Sequence, residues 1–430
     1  MDKNKFSPTV IKNLFLFNST WGPKEGDEEK KIIYFWPEDF NDQSMLKKIG
    51  LVEGVIIFSN KFSAVPANSL HTLKERTVFF EAEKDYWLCI TVSVPNTRKQ
   101  GKEPGDTIEF HPEDVSDSVL RSLIGRSYEM FCLFHSSLTF ALDDSCGGNK
   151  AVFMELVKHF FSRYLATLRV ESGDITSVWG GMQYLALDTT DFLRVQSLIN
   201  RMKADNDIIR KCLFLQSGQL VWSGVDPSLT KLIVQYLSTT ILPMLPAISR
   251  QPSGSFLVGE KEKSPVVYIH GEPYHLSVFH ALNTTLCLLL SSPPPKPFFE
   301  SFRESVGVNL GNLSADLTHA YVSKPGSNQH TESLSFIYFN AANLAIKSTV
   351  IEGQEKLIKI GADFVEDLRN SGFSEGEIMA KTWSEEWVVV QVAGARTIIV
   401  LLHDKNLNLM EVAEEVSRLE KNRFDSICML

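Results

Sequence analysis

HGEPYH, residues 270–275, places two histidines and a glutamate within six positions. Paired imidazoles suit zinc, and a His-x-Glu triplet opens the zinc-deaminase signature, in which the glutamate moves the protons of a metal-bound water. Neither site is completed. No Pro-Cys-x-x-Cys follows, and His-Glu-x-x-His does not occur. Gly271-Glu272-Pro273 reads instead as the turn between two strands. His403-Asp404 would serve a Ser-His-Asp hydrolase only beside an activated serine, and none is expected here. Asp404 reads as an acid near a helix start. CGGNK (146–150) lacks the spacing of a phosphate loop and reads as the lead-in to a helix. Asp143-Asp144 lacks the alternating oxygen ligands of a calcium loop. No catalytic residue, cofactor or metal is expected, so the chain reads as something other than an enzyme.

Two charged features have no such chemistry. Seven of the eight residues from Lys24 to Lys31 are charged, between the apolar runs LFLF (14–17) and IIYFW (32–36). This block is expected to hold a loop between two strands in water. Lys47-Lys48 lies beside an apolar stripe. It reads first as a solvated face, with an acidic protein surface or lipid head groups as the alternative contact.

The elements that must carry these residues fill 430 positions, enough for two to four domains, with the composition of a globular protein. A net charge of −9 argues against a broad basic face for nucleic acid. The N-terminus has no apolar signal core, and the longest lipid-like run, TTLCLLLSS (284–292), is far short of the roughly 20 residues of a membrane-spanning helix. Six cysteines without a Cys-x-x-Cys pair read as reduced cytosolic thiols. A soluble protein is expected, reaching membranes through partners or surface contacts.

Apolar periodicity divides the chain into three similar blocks. The first opens with LFLF and IIYFW, apolar on both faces and so suited to a sheet covered on two sides. Helical spacing follows in SMLKKIGLVEGVIIF (44–58), then strands at 77–83, 86–94 and 107–110, a loop at 95–106, and helices at 112–134 and 149–168. The order returns from Lys211 and again from Ser333, where two strands, a helix (355–370), three strands and a helix (408–422) give the clearest copy. The fold class expected is α/β of the α+β type: three longin- or roadblock-like modules, each a five-stranded, mainly antiparallel sheet with flanking helices. The expected limits are 8–171, 207–324 and 333–430, with a helical connecting segment at 172–206.

Several blocks in register resemble the CCZ family of vacuolar fusion proteins: TWGPKEGDEEKKIIYFWP (20–37), SLHTLKERTVFF (69–80), SLINRMK (197–203), VWSG (221–224), FIYFNAANLAIKSTV (336–350) and NLNLMEVAEEV (406–416). The resemblance spans about residues 11–430 and implies a tri-longin protein that pairs with a Mon-type tri-longin partner. Together such a pair exchanges guanine nucleotide on a late-endosomal or vacuolar Rab GTPase. It binds the GTPase in a shape incompatible with tight nucleotide binding, with no proton or covalent transfer. A third regulatory subunit is a further partner left open, and nucleic acid is not one. The implied location is the cytoplasm, peripherally on late endosomes, lysosomes or the vacuole, with roles in vesicle fusion and autophagy. On this resemblance the first module meets partner and GTPase through its helix and third strand, here Lys47, Lys48, Leu51, Leu70, His71, Thr72, Leu73, Val78 and Phe80. The alternatives are a longin-type trafficking scaffold, or the related tri-longin subunit of the lysosome-related-organelle exchange complex. Charge reversal in the 24–31 block is expected to weaken partner binding without unfolding the chain.

Overall fold

Leu14, Phe15, Leu16 and Phe17 are all buried, and alternation sends them to opposite faces of one sheet. A strand with no polar side is stable only where both faces are covered. The structure, a computed structural model, describes residues 4–24, 26–39, 42–63, 67–100, 106–168, 178–243, 254–260, 264–323, 334–351, 353–372 and 374–423. It divides into two compact units, residues 1–178 and 179–430. The expected module limits at 171–172, 324, 333 and 430 lie outside the described residues, as does Cys428.

In chain order the first unit contains β1 (Asn4–Ser7), β2 (Ile11–Asn18), β3 (Ile32–Trp36), α1 (Asp42–Phe62), β4 (Ser69–His71), β5 (Glu75–Glu83), β6 (Tyr86–Ser93), β7 (Asn96–Gln100), β8 (Asp106–Phe110), α2 (Asp117–His135) and α3 (Lys150–Leu165). The main sheet has the order β3-β2-β6-β5-β4 and is antiparallel throughout. Phe15, Phe17, Phe35 and Phe79 pack beneath α1. Leu14, Leu16, Ile90, Leu120, Phe131, Phe153 and Phe161 fill the opposite face, under α2 and α3. The stretch expected as a loop at 95–106 is partly strand. NTRKQ forms β7 because β1 and β8 pair with it from either side, although its polar residues carry no strand pattern.

The second unit contains β9 (Met182–Gln183), α4 (Thr189–Asp205), β10 (Ile209–Gln216), β11 (Gln219–Ser223), α5 (Pro227–Tyr236), β12 (Ser255–Val258), β13 (Val266–Ile269), β14 (Glu272–Ala281) and β15 (Thr284–Leu290). There follow α6 (Lys296–Phe302), α7 (Val308–Ser323), β16 (Leu334–Asn340), β17 (Ala345–Ser348), α8 (Glu355–Asn370), β18 (Glu375–Lys381), β19 (Trp387–Ala393), β20 (Arg396–Leu402) and α9 (Leu409–Arg423). Its two sheets run β11-β10-β15-β14-β12, with β13 also on β14, and β18-β19-β20-β16-β17-β9. Numbering strands within each module, all three sheets share the order 2-1-5-4-3: a hairpin, a helical crossover to the far edge, then a three-strand return. Gly361 of α8 sits where a Cβ would come 2.7 Å from Ile399 Cγ2, so helix and sheet meet there at backbone distance. Among the described residues no helix is long and apolar enough to cross a membrane.

Candidate functional site

α1 has two unlike faces. Ile49, Val52 and Ile56 are buried against the sheet. On the other side Leu51, Ile57, Phe58 and Phe62 are each more than half exposed, and the rings of Phe58 and Phe62 stand 4.7 Å apart. Gly50 and Gly54 share this outer face, and a Cβ on either would meet nothing within 4 Å. Glycine inside a helix costs about 1 kcal/mol relative to alanine. The module's own packing does not require it at these two positions. The result is an apolar surface with a low centre, bordered by the exposed Lys47 and Lys61. The expected helix ended at Phe58, so Phe62 was missed. Its spacing of four from Phe58 was the available signal.

The residues expected at a partner surface separate into two groups. Lys47 and Leu51 are exposed on α1, while Lys48 Nζ pairs with Glu75 Oε2 at 3.1 Å and so ties α1 to the start of β5. His71, Thr72 and Leu73 are exposed at the β4–β5 turn. Leu70 packs inward beneath α1. Val78 is buried on the opposite face, under α2, and Phe80 is half-buried there, its ring 6.2 Å from that of Tyr128. These last three pack within the module itself.

Among its described residues the 24–31 block is exposed except at Asp27 and Lys31, which are half-buried. Glu28–Lys31 form a short 3-10 turn, and Lys31 Nζ reaches both oxygens of Glu53 on α1, at 2.7 and 2.9 Å. Lys31 therefore fastens the hairpin to the helix, which the loop reading did not anticipate. Glu25 lies outside the described residues.

Near the β4–β5 turn, Asp117 at the start of α2 accepts from Arg76 Nη1 at 2.7 Å and lies 2.7 Å from His71 Nε2. Burial alone would push its carboxyl up, but hydrogen bonds from Arg76, Ser69 and His71 outweigh it and hold the group below its ordinary value. Arg76 is buried and also donates to the carbonyls of Val115 and Pro112. This constellation locks strand to helix.

The other motifs are likewise structural. The turn expected at Gly271-Glu272-Pro273 is made by His270 and Gly271, because Glu272 and Pro273 of β14 already pair with Ile269 and Tyr268. His270 Nε2 lies 3.1 Å from Asp226, whose carboxylate also caps α5. Asn149 of CGGNK caps α3. His403 is held between Glu386 and Gln354, at 2.8 and 2.7 Å. Asp404 closes a local turn onto Asn406, and the actual cap of α9 is Asn408, which accepts from the backbone N–H groups of Met410 and Glu411. The sequence reading passed over one Gly-x-Ser-x-Gly, Gly372 to Gly376. It runs from α8 into β18, the reverse of the strand-to-helix turn that exposes a nucleophilic serine. His111, Glu113 and Asp114 offer donor atoms within 4.8 Å of one another on an exposed turn, where His111 already engages Thr97. Burial pushes the thiols of Cys132 and Cys212 up to about 11 and about 12, away from reactive thiolate character.

Comparison with known proteins decides the family. Vacuolar fusion protein CCZ1 homologs from Nematostella vectensis and Danio rerio are 32% and 31% identical to the chain, over 98% and 100% of its length and 98% of theirs. The chain belongs to the CCZ1 family of vacuolar fusion proteins. A CCZ1 homolog from Dictyostelium discoideum is 24% identical over 95% of both chains. Residues 11–136 match the first longin domain of INTU, CCZ1 and HPS4, residues 209–304 the Intu longin-like domain 2, and residues 330–419 the Intu longin-like domain 3. The longin modules of this CCZ1-family chain are thus the three sheets described above, and α1 lies wholly within the first.

Proposed function

We propose that this chain is one subunit of a two-protein guanine-nucleotide exchange factor. Its partner is a Mon-type tri-longin protein, and its client is a Rab GTPase of the late endosome or vacuole. The observation that carries the reading is the outer face of α1, where four large apolar side chains, each more than half exposed, surround two glycines. A surface of this kind is stable in water when another protein covers it. In this reading the chain contributes shape, not catalytic groups. Exchange follows from preferential binding of the nucleotide-free GTPase by the assembled pair. The vacuolar naming of the relatives supports a place on vacuolar or late-endosomal membranes, held there peripherally.

The test co-expresses the chain with a Mon-type partner and follows nucleotide release from candidate Rab proteins, with each subunit alone as control. Release is expected from the pair only. Leu51→Asp with Phe58→Asp is expected to leave the melting temperature of the chain nearly unchanged, since both residues are exposed. The same pair of changes should weaken assembly at least about tenfold, in line with the loss of apolar anchors from an interface. Assembly without release from any Rab would leave a trafficking scaffold as the function.

A further inference from the structure

The third module gathers its exposed apolar side chains at one end. Leu334 at the start of β16 pairs with Leu402 at the end of β20, and Leu402 pairs with Trp387 at the start of β19. Lys381 at the end of β18 lies opposite Trp387, and β17 runs antiparallel to β16, so both strands finish at this end as well. The segments after β17, between β18 and β19, and from β20 into α9 therefore lie together. Trp383 is fully exposed, and Ile351, Leu409 and Met410 are each more than half exposed. Among the described residues of 334–423 these are the four large apolar side chains open to water, and all four sit on these segments.

A chain of hydrogen bonds fastens the segments to one another. The Ile351 N–H donates to Gln354 Oε1 at 3.3 Å, and Gln354 Nε2 donates to His403 Nε2 at 2.7 Å. His403 thus donates from Nδ1 to Glu386 Oε1 at 2.8 Å, and the other oxygen of Glu386 accepts from Ser384 Oγ at 2.8 Å. Trp387 Nε1 donates to the Leu407 carbonyl at 3.2 Å and holds the approach to α9 beside them. Side chains presented from a fastened frame lose little freedom on binding, which favours association.

Acids accompany the apolar tips. In the sequence a glutamate follows each within two positions, Glu352 after Ile351, Glu385 after Trp383 and Glu411 after Leu409 and Met410. Glu385, Asp404 and Glu411 are exposed, set against Lys405 and Lys381, the latter turned onto the Lys405 carbonyl at 2.8 Å. Such a border repels an anionic lipid surface and attracts a basic protein surface.

We propose that this end of the third module docks a protein partner whose surface offers an apolar pocket rimmed by arginine or lysine. Trp383 enters the pocket as the anchor, in keeping with the prevalence of tryptophan among interface hot spots. Ile351, Leu409 and Met410 add apolar contact, and Glu385 meets the basic rim. The surface belongs to a different module from the outer face of α1 and does not rest on the exchange reading.

Benzoylphenylalanine placed at Met410 of the full-length chain is photolysed in the cells that make it. The cross-linked protein is identified, purified and titrated against the chain and its variants. Trp383→Ala should weaken that binding at least about tenfold, as loss of a hot-spot anchor does, and Trp383→Phe should weaken it less. Glu385→Lys should also cost at least about tenfold, the scale of one charge reversed across an interface. The melting temperature should stay nearly unchanged in all three, because both side chains are exposed. Sedimentation with phosphatidylcholine–phosphatidylserine vesicles is run alongside, and no Trp383-dependent binding is expected. No cross-linked protein, or a captured protein indifferent to Trp383→Ala and Glu385→Lys, would overturn the proposal. Vesicle binding that Trp383→Ala abolishes would overturn it too, by making a lipid surface the occupant.

Discussion

Asp117 shows how one side chain sets a local pH dependence. Its folded carboxyl is held below its ordinary value, so the unfolded chain binds the proton more readily. The stabilisation is therefore complete above the unfolded carboxylate range of about 4 and is lost as pH falls through the lower, folded value. Asp117→Asn removes the charge and leaves the buried Arg76 guanidinium facing a neutral amide. A loss of about 2 kcal/mol is expected, typical of a charge-assisted hydrogen bond broken beside a buried cation. Urea unfolding should show that difference undiminished from pH 5 to 8 and narrowing only below about 4, where the native carboxyl is neutral as well. A constant difference down to the lowest pH would mean that the charge is irrelevant. No spacing rule could have joined Arg76 to Asp117, which are 41 positions apart. Val78 was legible. Strand alternation already places it with Phe80 on the face opposite Phe79, and that face proved to be the α2 side.

The elements were legible wherever burial wrote a period into the sequence. α8 falls on its expected residues, and LFLF reads as a central strand because both its faces are buried. β7 and β9 were not legible, since one is polar, the other is two residues long, and both exist because neighbours pair with them. α1 was found, but not the meaning of its glycines. Each lies in open space, so Gly50→Ala and Gly54→Ala should each stabilise the isolated chain by about 1 kcal/mol through helix propensity. If a partner's backbone approaches the helix at these points, the same changes should weaken assembly with the Mon-type protein. Thermal melts of the chain and titration of the partner read the two effects separately. Stabilisation with unchanged assembly would place the partner surface away from the glycines.

Across the second unit, two modules share a single extended segment, and their stabilities should therefore be linked. Trp179 stacks on Phe339 at 5.3 Å, Tyr184 Oη donates to the Asn343 carbonyl at 3.1 Å, and Met182–Leu185 bonds to β17 and to β11. Gly181 permits the approach, because a Cβ there would stand 2.5 Å from Cβ of Ile346. A valine at this point must push the segment off the edge of the third sheet, since Ile346 belongs to a packed core and cannot retreat. Gly181→Val should then leave β11 and β17 as free edges. Their amides, at 219–223 and 345–348, are expected to exchange at least about tenfold faster, as local opening requires when a cooperative unit loses a strand. Protection in β2 and β6 of the first unit should not change, which separates edge release from general destabilisation. Hydrogen exchange on the full chain resolves these stretches. Unchanged protection at both edges would show that the segment lies on the two modules without coupling them, and uniform loss across all three sheets would replace edge release with general destabilisation.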